Sequence, residues 1–172
     1  VCNDASRSAA AERVFEEYGL PLFMDAKRSI LDSPAAVCIL AMLNAVEKRW
    51  NTREIIRALK SGLSDFTSDE IERLENYVLK YRVRGSMWMR PFQKGESEYG
   101  PDGLAELDHL RARVAELFHG LETVFRKKQT NREFIRAFYL FLTEDMQFEE
   151  RMDRLMQLQA ENGLQTAADE TA

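Results

Sequence analysis

The clearest structural signal in this sequence is the stretch TSDEIERLENYVLK at residues 67–80. Thr67 followed by Glu70 is the pattern of a capping box, in which each side chain accepts a hydrogen bond from the backbone of the other residue at the start of a helix. The apolar residues that follow recur three or four positions apart, at Ile71, Leu74 and Val78. This spacing predicts an amphipathic helix with one buried face.

The same starting signal occurs on both sides of this stretch. Asn51 precedes Glu54 and Thr130 precedes Glu133 by three positions, and apolar residues at helical spacing follow each pair. Pro34 suits the first turn of another helix. Because a long, nearly continuous apolar run follows Pro34, we expect that helix to be central.

The second half of the sequence predicts a loop and two further helices. From 85 to 103 the helical periodicity fails and glycines and prolines accumulate, which is typical of a loop. Apolar residues on one stripe predict a long helix at about 104–128. A last helix is predicted at about 148–162, with Gly163 as its C-terminal cap.

The short apolar run LPLFM at residues 20–24 predicts a strand. A single strand needs a partner that the remaining sequence barely offers, so we expect the chain to be an internal piece of a longer protein. The predicted fold is mainly α, an irregular bundle of about six helices with one short N-terminal strand. We expect three parts: an N-terminal helix and strand (1–31), a helical domain (32–163) and a polar tail (164–172).

The composition excludes several functional classes. Hydrophobic residues are 45% and charged residues 31% of the chain, which is typical of a globular protein and not of a disordered or membrane protein. Cys2 and Cys38 are too few for a disulfide framework or a metal site, and a cytoplasmic location is the default. The spacing of His109 and His119 does not match a helical zinc pair. No nucleophile stands beside a base in a catalytic pattern, so we expect no catalytic site in this chain.

One segment is locally basic although the net charge is −5. No acid occurs between Glu75 and Glu96, and the aromatic Trp88 lies within this segment. Its cations are Lys80, Arg82, Arg84, Arg90 and Lys94. Cations interleaved with rings are typical of a nucleic-acid contact, in which phosphates are neutralised and bases stack. Alternatively, Trp88 and Phe92 anchor a loop to the core.

A second candidate contact follows the predicted strand. Lys27 and Arg28 lie at a turn, from which cations can reach a phosphate backbone. Alternatively, they form ion pairs with Asp25 or Asp32 that fix the turn.

Several segments resemble one region of a known family, in the same order. These are YGLPLFMD at 18–25 followed by Lys27-Arg28, LKSGL at 59–63 and LENYVL at 74–79, with Trp88 after them. The helix predicted after Thr130 is similar mainly in pattern. Together they resemble the AddB family, whose members are one of the two subunits of a bacterial helicase-nuclease.

The resemblance implies a function that the residues themselves do not reveal. AddB proteins combine a decayed helicase motor with a nuclease domain that carries an iron-sulfur cluster, and with their partner AddA they use ATP and magnesium to process DNA double-strand breaks. This chain would be the inserted helical subdomain, called 2B, with the edge of domain 2A at its N-terminus. It would hold no cofactor, contact AddA and the rest of AddB, and position duplex DNA or brace neighbouring domains. A free-standing helical adaptor for proteins, without a role at DNA, is the alternative.

Overall fold

A computed structural model describes residues 13–15, 17–20, 30–126 and 128–169, with the backbone alone for 162–169. After residue 30 it contains six α-helices, which are α1 (Pro34–Glu47), α2 (Thr52–Leu59), α3 (Ser68–Lys80), α4 (Glu96–Arg126), α5 (Asn131–Leu140) and α6 (Phe148–Asp169). One 3-10 segment (Ile30–Asp32) precedes α1 and another (Gly85–Met89) lies between α3 and α4. A π-helical turn (Phe141–Asp145) lies between α5 and α6. The prediction of a mainly α fold is confirmed. The predicted strand lies outside the described residues except for Leu20, and the described residues contain no strand.

The predicted helix starts at Thr67 and Thr130 are confirmed as capping boxes. In the first, the Glu70 N–H donates to Thr67 Oγ1 at 3.2 Å and the Thr67 N–H donates to Glu70 Oε2 at 2.7 Å. Thr130 and Glu133 make the same reciprocal pair. Each box satisfies backbone donors that the first helical turn leaves free.

The starts of α1 and α2 use a cap without the reciprocal bond. At α1, the Ala36 N–H donates to Ser33 Oγ at 3.3 Å, next to Pro34. At α2, the Glu54 N–H donates to Asn51 Oδ1 at 3.3 Å. The Glu54 carboxylate turns instead toward Lys48, at 3.8 Å.

The hydrophobic core lies among α1 to α4. α1 is central, as predicted, because its residues Cys38, Ala41, Met42 and Ala45 are all buried. The other helices each contribute one buried stripe to this core, including Ile55, Ile56 and Leu59 of α2, Ile71, Leu74, Tyr77 and Val78 of α3, and Leu107, Leu110, Val114, Phe118 and Leu121 of α4. Burial of each large apolar side chain contributes about 1.5–3 kcal/mol.

Two predicted boundaries are wrong. Helical residues begin at Glu96, and the helix is interrupted at Gly100, whose φ of 69° and ψ of 170° are not helical. The continuous part of α4 then begins at Pro101, a residue whose fixed φ suits a first turn. At the other end, α6 continues through Gly163 to Asp169. One glycine disfavours a helix by only about 1 kcal/mol, and the residues after it include good helix formers such as Leu164 and Ala167.

Candidate nucleic-acid interface

Two loops meet at one end of the helical core. The first follows α1 and spans residues 48–51, and the second follows α3 and spans 81–85. The Gly85 N–H donates to the Trp50 carbonyl at 3.2 Å, and Thr52 Oγ1 donates to the Val83 carbonyl at 2.5 Å. Trp88 Nε1 donates in turn to Thr52 Oγ1 at 3.0 Å. These three hydrogen bonds fix the two loops against each other.

An open groove of about 790 Å³ lies along this junction. We call this groove the junction groove. Its apolar lining includes Ile56, Val78 and Val83. Five cations line it, namely Lys48, Arg49, Arg53, Arg82 and Arg84. The one acid among its lining residues, Glu75, pairs with Lys60 at 2.5 Å. The groove therefore carries a marked excess of positive charge.

Both loops end their helices with the same backbone motif. After α1, the Arg49 N–H donates to the Val46 carbonyl and the Trp50 N–H donates to the Ala45 carbonyl. After α3, Arg82 and Val83 make the equivalent bonds to Leu79 and Val78. This pairing is a Schellman motif, in which the residue after the C-terminal cap adopts a left-handed conformation.

Arginine occupies the position in each motif where glycine is usual. Arg49 has a φ of 52° and Arg82 a φ of 53°. A left-handed conformation costs about 1–2 kcal/mol for a residue with a Cβ atom, whereas glycine adopts it freely. Both loops thus retain a cation at a position where the backbone alone would favour glycine.

The structure divides the predicted basic segment into three places. Arg82 and Arg84 lie in the junction groove. Arg90 and Lys94 line a neighbouring hollow of about 340 Å³, which adjoins the groove at Val83. Lys80 forms an ion pair with Glu98, and their hydrogen bond raises the pKa of Lys80 and lowers the pKa of Glu98.

Most of the predicted cations are exposed and unpaired. Arg82, Arg84, Arg90 and Lys94 are exposed, and within the described residues their side chains form neither an ion pair nor a hydrogen bond. Four guanidinium or ammonium groups are therefore free to bind an anionic ligand. Lys27 and Arg28 lie outside the described residues, so their predicted role stays a prediction.

Trp88 has a different environment from the one expected of a stacking residue. Its side chain is 0% exposed and packs in the core, with the Phe92 ring centroid at 6.4 Å. A ring without accessible surface cannot stack on a base. The alternative interpretation of this residue, an anchor that holds the loop to the core, fits its position, and we leave Trp88 out of the candidate contact surface.

An ion pair on α4 anchors the segment that carries these cations. Arg111 donates through Nη1 to the Trp88 carbonyl at 2.9 Å and through Nε to Asp108 Oδ1 at 2.6 Å. Asp108 Oδ1 also accepts from the Phe92 N–H at 2.7 Å. Burial disfavours the charged carboxylate, but the bonds from Arg111 and Phe92 outweigh it, so the pKa of Asp108 lies below its usual range.

Three residues of the junction groove were not predicted from the sequence. Lys48 and Arg49 follow the last apolar residues of α1, and Arg53 lies in the first turn of α2. The pattern Arg49-Trp50 after α1 and Arg82-Val83 after α3 is a local signal of two similar helix ends. No local pattern indicates that these two helix ends touch, because that contact is tertiary.

Two kinds of feature are absent from the described part of the chain, a cluster of metal ligands and a membrane-spanning helix. There, no group of three or more His, Cys, Asp or Glu side chains could hold a metal ion. None of the described helices combines the length and the hydropathy that crossing a bilayer requires.

Comparison with curated proteins identifies long relatives that share this region. The chain is 34% identical over 152 residues to an ATP-dependent helicase/deoxyribonuclease subunit of Alkaliphilus metalliredigens, covering 80% of this chain. It is 32% identical over 160 residues to the protein of the same name from Alkaliphilus oremlandii, covering 86% of this chain. The chain belongs to the AddB family. The predicted resemblance is therefore confirmed.

The matched region is a small part of an AddB protein. The chain spans 13% of the Alkaliphilus metalliredigens relative and 14% of the Alkaliphilus oremlandii relative. A third relative, from Clostridium novyi, is 34% identical over 131 residues, 75% of this chain and 11% of its own length. A scan against protein-family profiles finds no match.

Proposed function

We propose that this chain is an accessory helical domain of an AddB-type helicase-nuclease and that its junction groove binds the phosphate backbone of DNA. The AddB relatives support the setting, since each is named as part of an ATP-dependent helicase/deoxyribonuclease. The single observation that carries the DNA contact is the convergence of five cations on one groove, of which only Lys48 has an ion-pair partner among the described residues.

The chemistry of the groove favours phosphates over bases. Guanidinium groups bind phosphate oxygens through paired N–H donors, and such contacts carry no sequence information. The nearest tryptophans, Trp50 and Trp88, are 5% and 0% exposed, so neither offers a ring to a base. We therefore expect binding that is independent of DNA sequence.

Stabilisation of the helix ends explains only part of this charge. A cation near a helix C-terminus interacts favourably with the helix dipole, which accounts for one role of Arg49 and Arg82. Arg53 lies in the first turn of α2, where the dipole disfavours a cation. Ligand binding accounts for all three arginines with one cause.

The wider role follows from the family and forms part of the same proposal. Residues 32–163 would form the accessory domain, with 1–31 at the edge of a neighbouring domain. The complete cytoplasmic complex would include AddA, use ATP and magnesium, carry its iron-sulfur cluster outside this region, and process broken DNA ends in recombinational repair. Within it, the junction groove would hold DNA while other regions perform the chemistry.

Binding of a fluorescent DNA duplex to the 172-residue chain tests the proposal. We expect Arg53→Gln together with Arg84→Gln to weaken binding at least tenfold by fluorescence anisotropy. The matched control removes two exposed cations elsewhere, Arg126 and Arg154, by the same substitution and leaves the affinity within about twofold. Equal effects of the two pairs of substitutions would contradict binding of DNA at the junction groove, because a general loss of positive charge would then explain both. A parent chain without measurable affinity for duplex DNA would favour the protein adaptor.

A further inference from the structure

Helix α5 contributes little of its surface to the fold. Within its ten residues no side chain is buried. Its inner face holds Phe134 and Phe138, which are half-buried, and the Phe134 ring meets Phe125 of α4 edge-on at 5.1 Å. A helix of this length is marginal on its own, so these ring contacts and the Thr130 capping box hold it in place.

The outer face of α5 combines apolar and cationic side chains on one stripe. Arg132, Ile135, Arg136 and Tyr139 follow the i, i+3, i+4, i+7 spacing that places residues on the same side of a helix. Ile135 is 65% exposed and Tyr139 is 57% exposed. Leu140, also exposed, extends the stripe toward the π-helical turn. We call this stripe the α5 face.

The two arginines of the α5 face have no anionic partner within the described part of the chain. The one acid of α5, Glu133, accepts from the Thr130 N–H at 2.7 Å and from Thr130 Oγ1 at 2.8 Å, so the capping box occupies it. Neither Arg132 nor Arg136 forms an ion pair or a side-chain hydrogen bond there. In a chain of net charge −5, this face is locally basic.

We propose that the α5 face docks an acidic amphipathic helix of a partner protein. Exposed apolar residues beside arginine and tyrosine are typical of interface positions that contribute most to binding. Arg132 and Arg136 are four positions apart, about 6 Å along the helix axis, so they match two carboxylates with the same spacing on a facing helix. Ile135 and Tyr139 would pack against the apolar stripe of that helix.

The apolar pair argues for a protein and against a nucleic acid as the occupant. Phosphate contacts are made by cations and hydrogen-bond donors, and the exposed side chain of Ile135 offers neither to a hydrated backbone. Ridges of residues four apart on one helix fit the grooves of another. This docking site lies on other elements than the junction groove and does not depend on it, so either proposal can fail alone.

Two synthetic helical peptides test the docking site on the 172-residue chain. The acidic peptide carries glutamates four positions apart beside a leucine stripe, and its twin carries lysine in place of each glutamate. We expect the acidic peptide alone to shift the backbone amide NMR signals of α5. Arg132→Glu with Arg136→Glu should weaken binding of the acidic peptide at least tenfold and create binding of the lysine peptide.

A second pair of variants and one control distinguish packing from charge. Ile135→Ser with Tyr139→Ser should also weaken binding of the acidic peptide at least tenfold, whereas Arg154→Glu on α6 should leave it within twofold. Thermal unfolding of each variant checks that the fold is retained. The proposal would be overturned if both peptides bound equally or if the NMR signals of α5 did not shift. It would also be overturned if duplex DNA displaced the peptide, or if the chain self-associated through Ile135 and Tyr139.

Discussion

At the scale of single residues, Arg49 and Arg82 are the clearest examples of residues that the backbone conformation alone does not explain. Each adopts the left-handed conformation that closes a Schellman motif, with φ values of 52° and 53°. Glycine would satisfy the backbone better, so the arginine side chains are candidates for a role beyond the fold. The same two guanidinium groups line the junction groove.

Arg49→Gly and Arg82→Gly are each expected to leave the free energy of unfolding unchanged or to raise it by up to about 1 kcal/mol. Relief of the left-handed conformation favours the folded state, while the greater freedom of glycine in the unfolded chain and the loss of a cation at the helix end oppose it. Urea denaturation followed by circular dichroism measures the change. A loss above about 2 kcal/mol would mean that the arginines are structural.

Asp108 is expected to make the anchoring of segment 85–92 sensitive to acid. Because its pKa is lower in the folded chain than in the unfolded chain, its contribution to stability is fully present above the unfolded value, about 4, and is lost as the pH falls through the folded value. Asp108→Asn should therefore flatten the fall of stability below about pH 4. Denaturation midpoints at several pH values measure this change. If stability fell as steeply with pH in the variant as in the parent, Asp108 would not be the group responsible.

Individual residues also show where sequence reasoning reached its limit. The predicted cations Arg82, Arg84, Arg90 and Lys94 are exposed, as binding residues must be. Trp88 lies among them in sequence, yet it is buried, because its indole completes the core and binds Thr52. Composition cannot distinguish a ring that stacks on a ligand from a ring that packs inward.

At the scale of elements, local signals predicted helix starts better than helix ends. The capping boxes at Thr67 and Thr130 form as predicted because both partners lie within one turn of helix. The end of α6 was misplaced, since Gly163 disfavours the helix too weakly to stop it. The break at Gly100 was missed, because the loop signal around it concealed two helical segments.

The two capping boxes are expected to differ in their effect on stability. Thr67→Ala should lower the global free energy of unfolding by about 1 kcal/mol, because α3 is packed into the core. Thr130→Ala should mainly accelerate hydrogen exchange in α5, a peripheral helix without buried side chains that can open locally. Native-state hydrogen exchange measures both effects. If the two substitutions lowered the global free energy of unfolding equally, the prediction that α5 opens locally would be contradicted.

At the scale of the whole molecule, charge is distributed unevenly. The chain has a net charge of −5, yet five cations converge on the junction groove. The basic segment 80–94 was visible in the sequence. The addition of Lys48, Arg49 and Arg53 to its arginines arises from the hydrogen bonds that join the loop after α1 and the start of α2 to the loop after α3. Pairing between loops distant in sequence has no local signature, which is why three of the five cations of the groove were not predicted.

The most direct test of the central claim is the salt dependence of duplex DNA binding by the parent chain and by the Arg49→Gly/Arg82→Gly double variant. If the groove contacts four or five phosphates, a plot of log affinity against log salt concentration should have a slope of about −4 for the parent chain. For the double variant, which lacks two cations, the slope should be about −2. An identical slope in a double variant that remains as stable as the parent would contradict binding of DNA at the junction groove.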